Sequence, residues 1–222
     1  MALPLVLFDV NGTLSDMGRM TQHVEEIGAS PQLAGLWFAT VLRDGFALTA
    51  AGENPAFRAV AEGALRVVLA DQVLNRDVDD AVAHILTAMQ QLPVHPDVAE
   101  GIRGLTAAGF ELAALTNGAA TTASGLLERA GVRDAFAAVL SVEDGPGWKP
   151  AAGAYTHALA ALGRRADEVV LVAAHPWDID GASRAGLRTA WLNRDASPYP
   201  SAMVPPDHEV AQLGDLLSAL RT

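Results

Sequence analysis

The sequence contains no cysteine, which excludes disulfide bonds, thiolate catalysis and cysteine-ligated metal ions. Positive charge is scarce: 15 Lys and Arg against 26 Asp and Glu give a formal net charge of −11. That balance argues against a surface for nucleic acid or for acidic membranes, although a pocket for a small anion is still allowed. No apolar run reaches the ~20 residues of a membrane span, and the opening segment MALPLVLFDV lacks the basic region of a signal peptide. We therefore expect a cytoplasmic globular protein.

Half of the 222 residues are hydrophobic, which is enough for a sizeable core. From residue 97 onward, short apolar runs alternate with helical patterns, and this order is typical of a parallel sheet with helices on both faces. The predicted strands are Leu3–Asp9, Phe110–Leu115, Phe136–Val142, Glu168–Ala173, Thr189–Leu192 and Glu209–Val210. The sequence thus predicts an α/β fold built on a doubly wound parallel sheet.

The stretch after the first strand has helical periodicity and almost no strand signal. Its predicted helices are Pro31–Arg43, Asn54–Ala70 and Asp77–Gln90. Because it interrupts the alternation of strands and helices, we interpret residues 17–91 as a helical cap inserted into a Rossmann-like core formed by residues 1–16 and 92–222. The alternative is that these helices belong to one undivided domain.

Polar side chains follow four of the predicted strands. They belong to the segments DVNGT (residues 9–13), TNG (116–118), WKP (148–150) and WD (177–178). Each segment alone could be an ordinary turn, a solvated lysine or a helix N-cap. In an open parallel sheet, however, the C-terminal ends of the strands meet at one edge, where ligands bind. Their joint placement therefore predicts a functional site.

The side chains in these segments suit covalent catalysis. Asp9 can act as a carboxylate nucleophile, and Lys149 would keep that carboxylate ionised and attract an anion. The hydroxyl groups of Thr13 and Thr116 can donate hydrogen bonds to a carboxylate. Asp178 would pair with Lys149 or orient a water molecule.

Taken together, the segments FDVNGTL, LTNG, WKP and AAHPWDIDGA resemble the four motifs of the haloacid dehalogenase superfamily. The match covers the whole chain, including a helical cap after the first motif. The resemblance implies a hydrolase of that superfamily with Asp9 as its covalent nucleophile.

Two positions distinguish the branches of this superfamily. Its phosphatases typically carry the pattern DxDxT in the first motif and GDxxxD in the fourth. This chain has Asn11 and Ala174 at the positions where the extra carboxylates are expected. Because Mg²⁺ prefers carboxylate oxygens, Asp9 and Asp178 alone would make a poor site for it. We therefore expect no metal ion and no cofactor. The pattern is similar to the metal-independent type II 2-haloacid dehalogenases, in which halide leaves without needing a proton donor.

The resemblance implies that Asp9 attacks C2 of a short 2-haloacid, forming an aspartyl ester that water then hydrolyses to a 2-hydroxyacid. Lys149 and Asp178 would hold or activate that water, and Thr13 and Thr116 would hold carboxylate oxygens. The residues that the resemblance places around the substrate are Asn11, Asn117, Trp37, Phe38, Arg43, Tyr155, His175 and Trp177, with Asn117 holding a carboxylate oxygen and Tyr155 supporting Lys149.

The chain also departs from the subfamily. An Arg that helps to bind halide usually follows a Leu-Trp pair, but here Phe38 follows Trp37, and the candidate replacement, Arg43, lies more than one helical turn further on. Where the subfamily often has Asn, this chain has His175, which either orients water, lines the halide pocket or packs on Trp177.

Three functions remain open from the sequence: a haloacid dehalogenase, a phosphatase acting on a small phosphate ester, and an inactive member that binds a ligand or partner. The apolar side chains Trp37, Phe38 and Phe46 are expected to pack either against the core or against a second copy in a homodimer.

Overall fold

The computed structural model describes residues 3–221 and confirms the α/β prediction; residues 1, 2 and 222 of the predicted core segments lie outside it. Its strands, all parallel, are β1 (Leu5–Phe8), β2 (Leu112–Thr116), β3 (Phe136–Ser141), β4 (Val169–Ala173), β5 (Arg188–Leu192) and β6 (His208–Val210). They form one sheet in the order β3-β2-β1-β4-β5-β6. The order reverses between β1 and β4, which is where open α/β sheets bind ligands.

The helices found among residues 3–221 are α1 (Met20–Glu26), α2 (Leu33–Ala50), α3 (Phe57–Leu69), α4 (Val78–Gln90), α5 (Val98–Ala107), α6 (Ala120–Arg129), α7 (Ala152–Leu162), α8 (Pro176–Arg184) and α9 (Leu213–Ala219). In this part of the chain no helix is both long enough and apolar enough to cross a membrane.

Both faces of the central strands are buried, since every residue of β1, β2 and β4 is buried and nearly all of them are apolar. Side chains alternate between the faces: Val6 and Phe8 join the core formed with α5, α6 and α9, whereas Leu5 and Leu7 join the core formed with α7 and α8. The second core continues into α1–α4. The central strand β1 therefore ends between two packed layers, which holds the residue that follows it rigidly.

Residues 17–91, called the helical segment below, contain α1–α4 as the only regular helices or strands described there, apart from a short 3-10 turn at Met17–Arg19. The end predicted at Arg43 for the first helix of this segment was wrong, since the corresponding helix, α2, continues to Ala50. The extension contains three good helix formers, Ala47, Leu48 and Ala50, and carries the helix through the weaker residues between them. Gly45 within this extension is required by packing, because a Cβ there would lie 2.2 Å from the Trp148 ring.

Candidate active site

The predicted polar segments meet at the C-terminal edge of the sheet. Asp9 directly follows β1, and Thr116 is the last residue of β2. Lys149 lies in the loop between β3 and α7, and Asp178 lies in the first turn of α8, which follows β4. Strands β3, β2, β1 and β4 are neighbours in that order, so these four side chains come from adjacent positions along one edge.

Lys149 lies between two carboxylates. Its Nζ is 2.8 Å from Oδ1 of Asp9 and 2.6 Å from Oδ2 of Asp178. The side chains of Lys149 and Asp178 have no exposed surface, and Asp9 is only 3% exposed. Buried charges are tolerated only when paired and hydrogen-bonded. Two carboxylates and one ammonium leave this cluster with a net charge of −1.

The charges of the cluster fix its protonation. Burial would raise the pKa of the Asp9 carboxyl, but the Lys149 ammonium, the His175 ring and the hydrogen bonds from Lys149 and Thr13 together lower that pKa. Burial would lower the pKa of Lys149, but Asp178 and Asp9 together raise it. The pKa of Asp178 is raised by its burial and by the negative charge of Asp9. Asp9 is therefore an ionised carboxylate beside an ammonium, and Asp178 is the more readily protonated acid.

Thr13 fixes the orientation of Asp9. Its hydroxyl donates to Oδ2 of Asp9 at 2.6 Å and accepts a hydrogen bond from the main-chain N–H of Ala174 at 2.9 Å. Because the amide supplies its own hydrogen, the hydroxyl hydrogen is directed at the carboxylate. With Oδ1 bound by Lys149 and Oδ2 by Thr13, both oxygens of Asp9 have a donor, as a pre-positioned nucleophile requires.

Tyr155 acts on Lys149 through Asp178. Its hydroxyl donates to Oδ1 of Asp178 at 2.6 Å and lies 3.1 Å from the main-chain oxygen of Asp178. Burial, followed by the negative charge of Asp178, raises the pKa of Tyr155 well above its usual value, so it stays a donor. This close approach requires Gly181, because a Cβ there would lie 2.7 Å from the Tyr155 hydroxyl. The predicted support of Lys149 by Tyr155 is thus indirect in the structure.

Asn117 contacts the backbone of Lys149. Its Oδ1 accepts from the Lys149 N–H at 3.0 Å and its Nδ2 donates to the Lys149 carbonyl at 3.2 Å. The structure therefore gives Asn117 a contact that positions Lys149, where the sequence led us to expect a contact with a substrate carboxylate. Thr116 accepts from the Gly118 N–H at 3.0 Å, so its hydroxyl hydrogen is directed elsewhere and can reach a bound anion.

His175 packs on Trp177 and also borders the nucleophile. The two rings stack at 5.2 Å with an interplanar angle of 14°. Nε2 of His175 lies 2.7 Å from the main-chain oxygen of Asn11 and 3.9 Å from Oδ2 of Asp9. The approach depends on Gly12, whose φ is +80° and where a Cβ would lie 3.0 Å from Nε2. The imidazole therefore forms a wall beside Asp9.

Helix α2 brings aromatic side chains to this wall. Phe38 lies 6.0 Å from the His175 ring and Phe46 lies 5.0 Å from the Trp177 ring, measured between centroids. Trp37 is on another face: it is fully buried, and its Nε1 donates to a main-chain carbonyl of α3 at 3.0 Å. Phe38 and Phe46 thus pack against the core, whereas Trp37 holds the helical segment together and has almost no exposed surface with which to contact a substrate.

Arg43 does not join the site. At 100° per residue it lies about 140° around α2 from Phe38. Its side chain is 68% exposed and pairs with Asp44 at 2.8 Å. A different arginine, Arg58 at the start of α3, is one of the residues that line a cavity of about 360 Å³ between the core and the helical segment. The cavity also reaches Asn11, Thr116, Gly118, Phe57, Ala61 and Met89.

Comparison with known proteins agrees with this geometry. The model of the haloacid dehalogenase-like hydrolases matches residues 3–186, most of the chain. The chain belongs to this family. A family member, (S)-2-haloacid dehalogenase 1 of Pseudomonas sp. (strain CBS-3), is 30% identical over 95% of this chain and 93% of its own. Another, (S)-2-haloacid dehalogenase 4A of Burkholderia cepacia, is 29% identical over 97% and 94%.

Solved structures of haloacid dehalogenases share the fold. The L-2-haloacid dehalogenase of Xanthobacter autotrophicus superimposes with a TM-score of 0.90 at 25% identity, covering 99% of both chains. A second structure of that enzyme, with chloropropionic acid covalently bound, gives a TM-score of 0.88 at the same identity and coverage. Haloacid dehalogenases therefore match this chain throughout, helical segment included.

The donor set at the strand ends does not fit the Mg²⁺ site of a haloacid dehalogenase-like phosphatase. Position 11 carries an amide and position 174 a methyl group. The two remaining carboxylates, Asp9 and Asp178, both contact the Lys149 ammonium. A hard dication would need further oxygen ligands and would face that positive charge.

Trp148, quoted in the third family motif, has a structural contact that sequence reasoning missed. Its ring is fully buried and stacks on Phe57 of α3 at 5.5 Å and 17°. Its Nε1 donates to the Pro55 carbonyl at 2.9 Å. Because Trp148 directly precedes Lys149, it ties the position of the helical segment to the loop carrying the ammonium. The sequence signal that could have indicated this contact was the large apolar side chain of Trp148 directly before the motif residue Lys149.

Proposed function

We propose that this chain is a hydrolase acting on carbon–halide bonds, which converts short (S)-2-haloacids to 2-hydroxyacids through an ester on Asp9, without a metal ion. The observation that carries the proposal is the Asp9 carboxylate, buried and ionised between Lys149 and Thr13. The names of the relatives supply the substrate class. A covalent adduct in one of the similar structures supports covalent chemistry.

In the first step an oxygen of Asp9 attacks C2 of the haloacid opposite the halogen. The new C–O bond forms as the carbon–halogen bond breaks, and halide leaves with the electron pair. No proton is transferred, so the amide of Asn11 at the position of a phosphatase acid is no disadvantage. The substrate carboxylate would be held by the free hydroxyl hydrogen of Thr116.

In the second step water attacks Cγ of esterified Asp9. Asp178, whose pKa is raised, accepts a proton from that water, while the Lys149 ammonium stabilises the oxyanion that forms. The bond between Cγ and the ester oxygen then breaks, Asp178 returns its proton to that oxygen, and the 2-hydroxyacid leaves; the second proton of the water passes to solvent. Asp9 regains its carboxylate, one oxygen of which comes from water.

We further propose that the helical segment is the cap over this site. Trp148 stacks on Phe57 beside the loop of Lys149, and Phe38 and Phe46 complete the aromatic wall. The side chain of the acid would enter the cavity of about 360 Å³, whose lining includes Arg58. Arg58 would attract the anionic substrate in place of the arginine that is absent after Trp37.

Halide release from (S)-2-chloropropionate in EDTA tests the proposal. We expect turnover that does not depend on added magnesium and that is lost in Asp9→Ala. Reaction for one turnover in H₂¹⁸O should place the label in Asp9, detected by mass spectrometry, and leave the first hydroxyacid unlabelled. Label found directly in the first product would refute the ester. Magnesium-dependent phosphate release with no halide release would favour the phosphatase instead.

A further inference from the structure

A cluster of two histidines and a glutamate lies on the helical segment. His23 and Glu26 are on α1 and His84 is on α4. Oε2 of Glu26 is 3.1 Å from Nδ1 of His23 and 2.9 Å from Nε2 of His84. The ligand atoms of the three residues all lie within 4.8 Å of one another. These residues belong to none of the family motifs described above.

The spacing suits a small transition-metal ion. Bonds of about 2.0–2.1 Å to imidazole nitrogen or carboxylate oxygen place tetrahedral ligand atoms about 3.3 Å apart. The two measured separations from Oε2 are only slightly shorter, so a small outward movement of flexible side chains would admit the ion. His23 and His84 are 30% exposed and Glu26 is 38% exposed, so ions can reach the cluster from solvent.

Gln22 and Arg76 contact Glu26 at atoms other than Oε2, the oxygen that faces both histidines. Gln22 donates to the other carboxylate oxygen, Oε1, at 3.3 Å. The guanidinium of Arg76 binds the main-chain oxygen of Glu26 at 2.7 Å, and its contact is thus with the backbone, not the carboxylate. Oε2 of Glu26 therefore faces the two imidazole nitrogens, and the cationic side chain of Arg76 does not occupy it.

We propose that His23, Glu26 and His84 form a binding site for a divalent transition-metal ion of the Zn²⁺ class, which links α1 to α4. Two imidazoles and one carboxylate are ligands that Zn²⁺ and Ni²⁺ prefer, whereas Mg²⁺ and Ca²⁺ require more oxygen atoms. Solvent would complete the tetrahedron. Because both nitrogens face Glu26, binding displaces protons and ties two packed helices together. The site is independent of the dehalogenase chemistry proposed above.

Calorimetric titration of the EDTA-treated full chain with Zn²⁺ tests the proposal, together with thermal unfolding. We expect one equivalent to bind to the wild type, and Zn²⁺ at a hundredfold excess over its Kd should raise Tm by about 5–10 °C. In His84→Ala and in Glu26→Gln the bound equivalent and the Tm rise should both be lost. The exposed His157→Ala, on α7, is the matched control and should behave as the wild type.

Two results would overturn the site. One is a wild-type chain that shows neither heat of binding nor a change in Tm. The other is a His84→Ala variant that binds Zn²⁺ with unchanged stoichiometry, which would move the ion to another place, such as His175 beside Asp9. Circular dichroism without metal verifies that each variant is folded. The visible absorption of Co²⁺ in the wild type, compared with Glu26→Gln, gives a second readout that does not depend on stability.

Discussion

Replacing Lys149 with methionine would remove the ammonium from between Asp9 and Asp178 while keeping most of the side-chain volume. Each contact, at 2.8 and 2.6 Å, corresponds to about 6 kcal/mol of Coulomb energy at an effective dielectric constant of about 20. Desolvation of the buried ions offsets much of this. Removing one partner of a buried ion pair costs about 3–5 kcal/mol. At about 2–4 °C per kcal/mol, we expect Tm to fall by about 6–20 °C.

The comparison with Asp178→Asn makes this test specific. That substitution changes the charge of the cluster from −1 to 0, and the Asp9–Lys149 pair remains. We therefore expect it to change Tm by only a few degrees, or to raise it, while the hydrolysis of the ester on Asp9 is lost. The substitution is thus expected to lower activity while it keeps or raises stability, as commonly happens when an unfavourable charge is removed from an active site.

The pH dependence follows from the raised pKa of Asp178. Below the unfolded pKa, Asp178 is protonated in the folded and unfolded chains alike and contributes nothing. Between the unfolded pKa and the raised folded pKa, Asp178 is ionised in the unfolded chain but still protonated in the folded chain. The folded wild type therefore loses stability as the pH rises through this interval. The stability of Asp178→Asn relative to wild type should therefore increase as the pH rises above the ordinary pKa of an aspartate towards the raised pKa of folded Asp178. Calorimetric unfolding measures both comparisons. A Lys149→Met variant as stable as Asp178→Asn would refute the reasoning.

Two further substitutions have matched controls. Arg58→Ala should raise KM for a haloacid about tenfold, the cost of roughly one charge-assisted contact. The control Arg43→Ala, on the far face of α2, should change KM less than about twofold. Equal effects of the two substitutions in steady-state assays would contradict the role assigned to Arg58. Gly45→Ala would bring a Cβ to 2.2 Å from the Trp148 ring, so it should destabilise the chain by about 1–3 kcal/mol and reduce halide release. Gly35→Ala on the same helix meets no atom within 4 Å, so denaturant unfolding should find it neutral or stabilising by up to about 1 kcal/mol.

The strands and the meeting of Asp9, Lys149 and Asp178 could be predicted from the sequence because both depend on local signals. Short apolar runs identify buried strands, and the topology of a parallel sheet brings their C-terminal ends to one edge. The family motifs then identified which polar residues at that edge matter. The position of each motif was therefore predictable before any side-chain contact was known.

The contacts made by individual side chains could not be predicted in the same way. Arg43 was a candidate to replace the missing arginine on sequence proximity alone, but the rotation of α2 turns it outward and leaves Phe38 facing His175. Asn117 was expected to hold a substrate, but its amide binds the backbone of Lys149. Both outcomes depend on helix phase and on tertiary packing, which a motif does not encode.

The same charge arrangement explains why position 11 need not be acidic. A leaving halide carries its negative charge away, so the displacement step needs an ionised Asp9 and no acid. In the proposed second step a group must accept a proton from water, and Asp178, with its raised pKa and with its other oxygen bound by Tyr155, suits that role. An additional carboxylate at position 11 would make the net charge of the cluster more negative than −1 and would raise the pKa of Asp9, which disfavours its ionised form. The amide of Asn11 is therefore consistent with a carboxylate that Lys149 and Thr13 hold by hydrogen bonds.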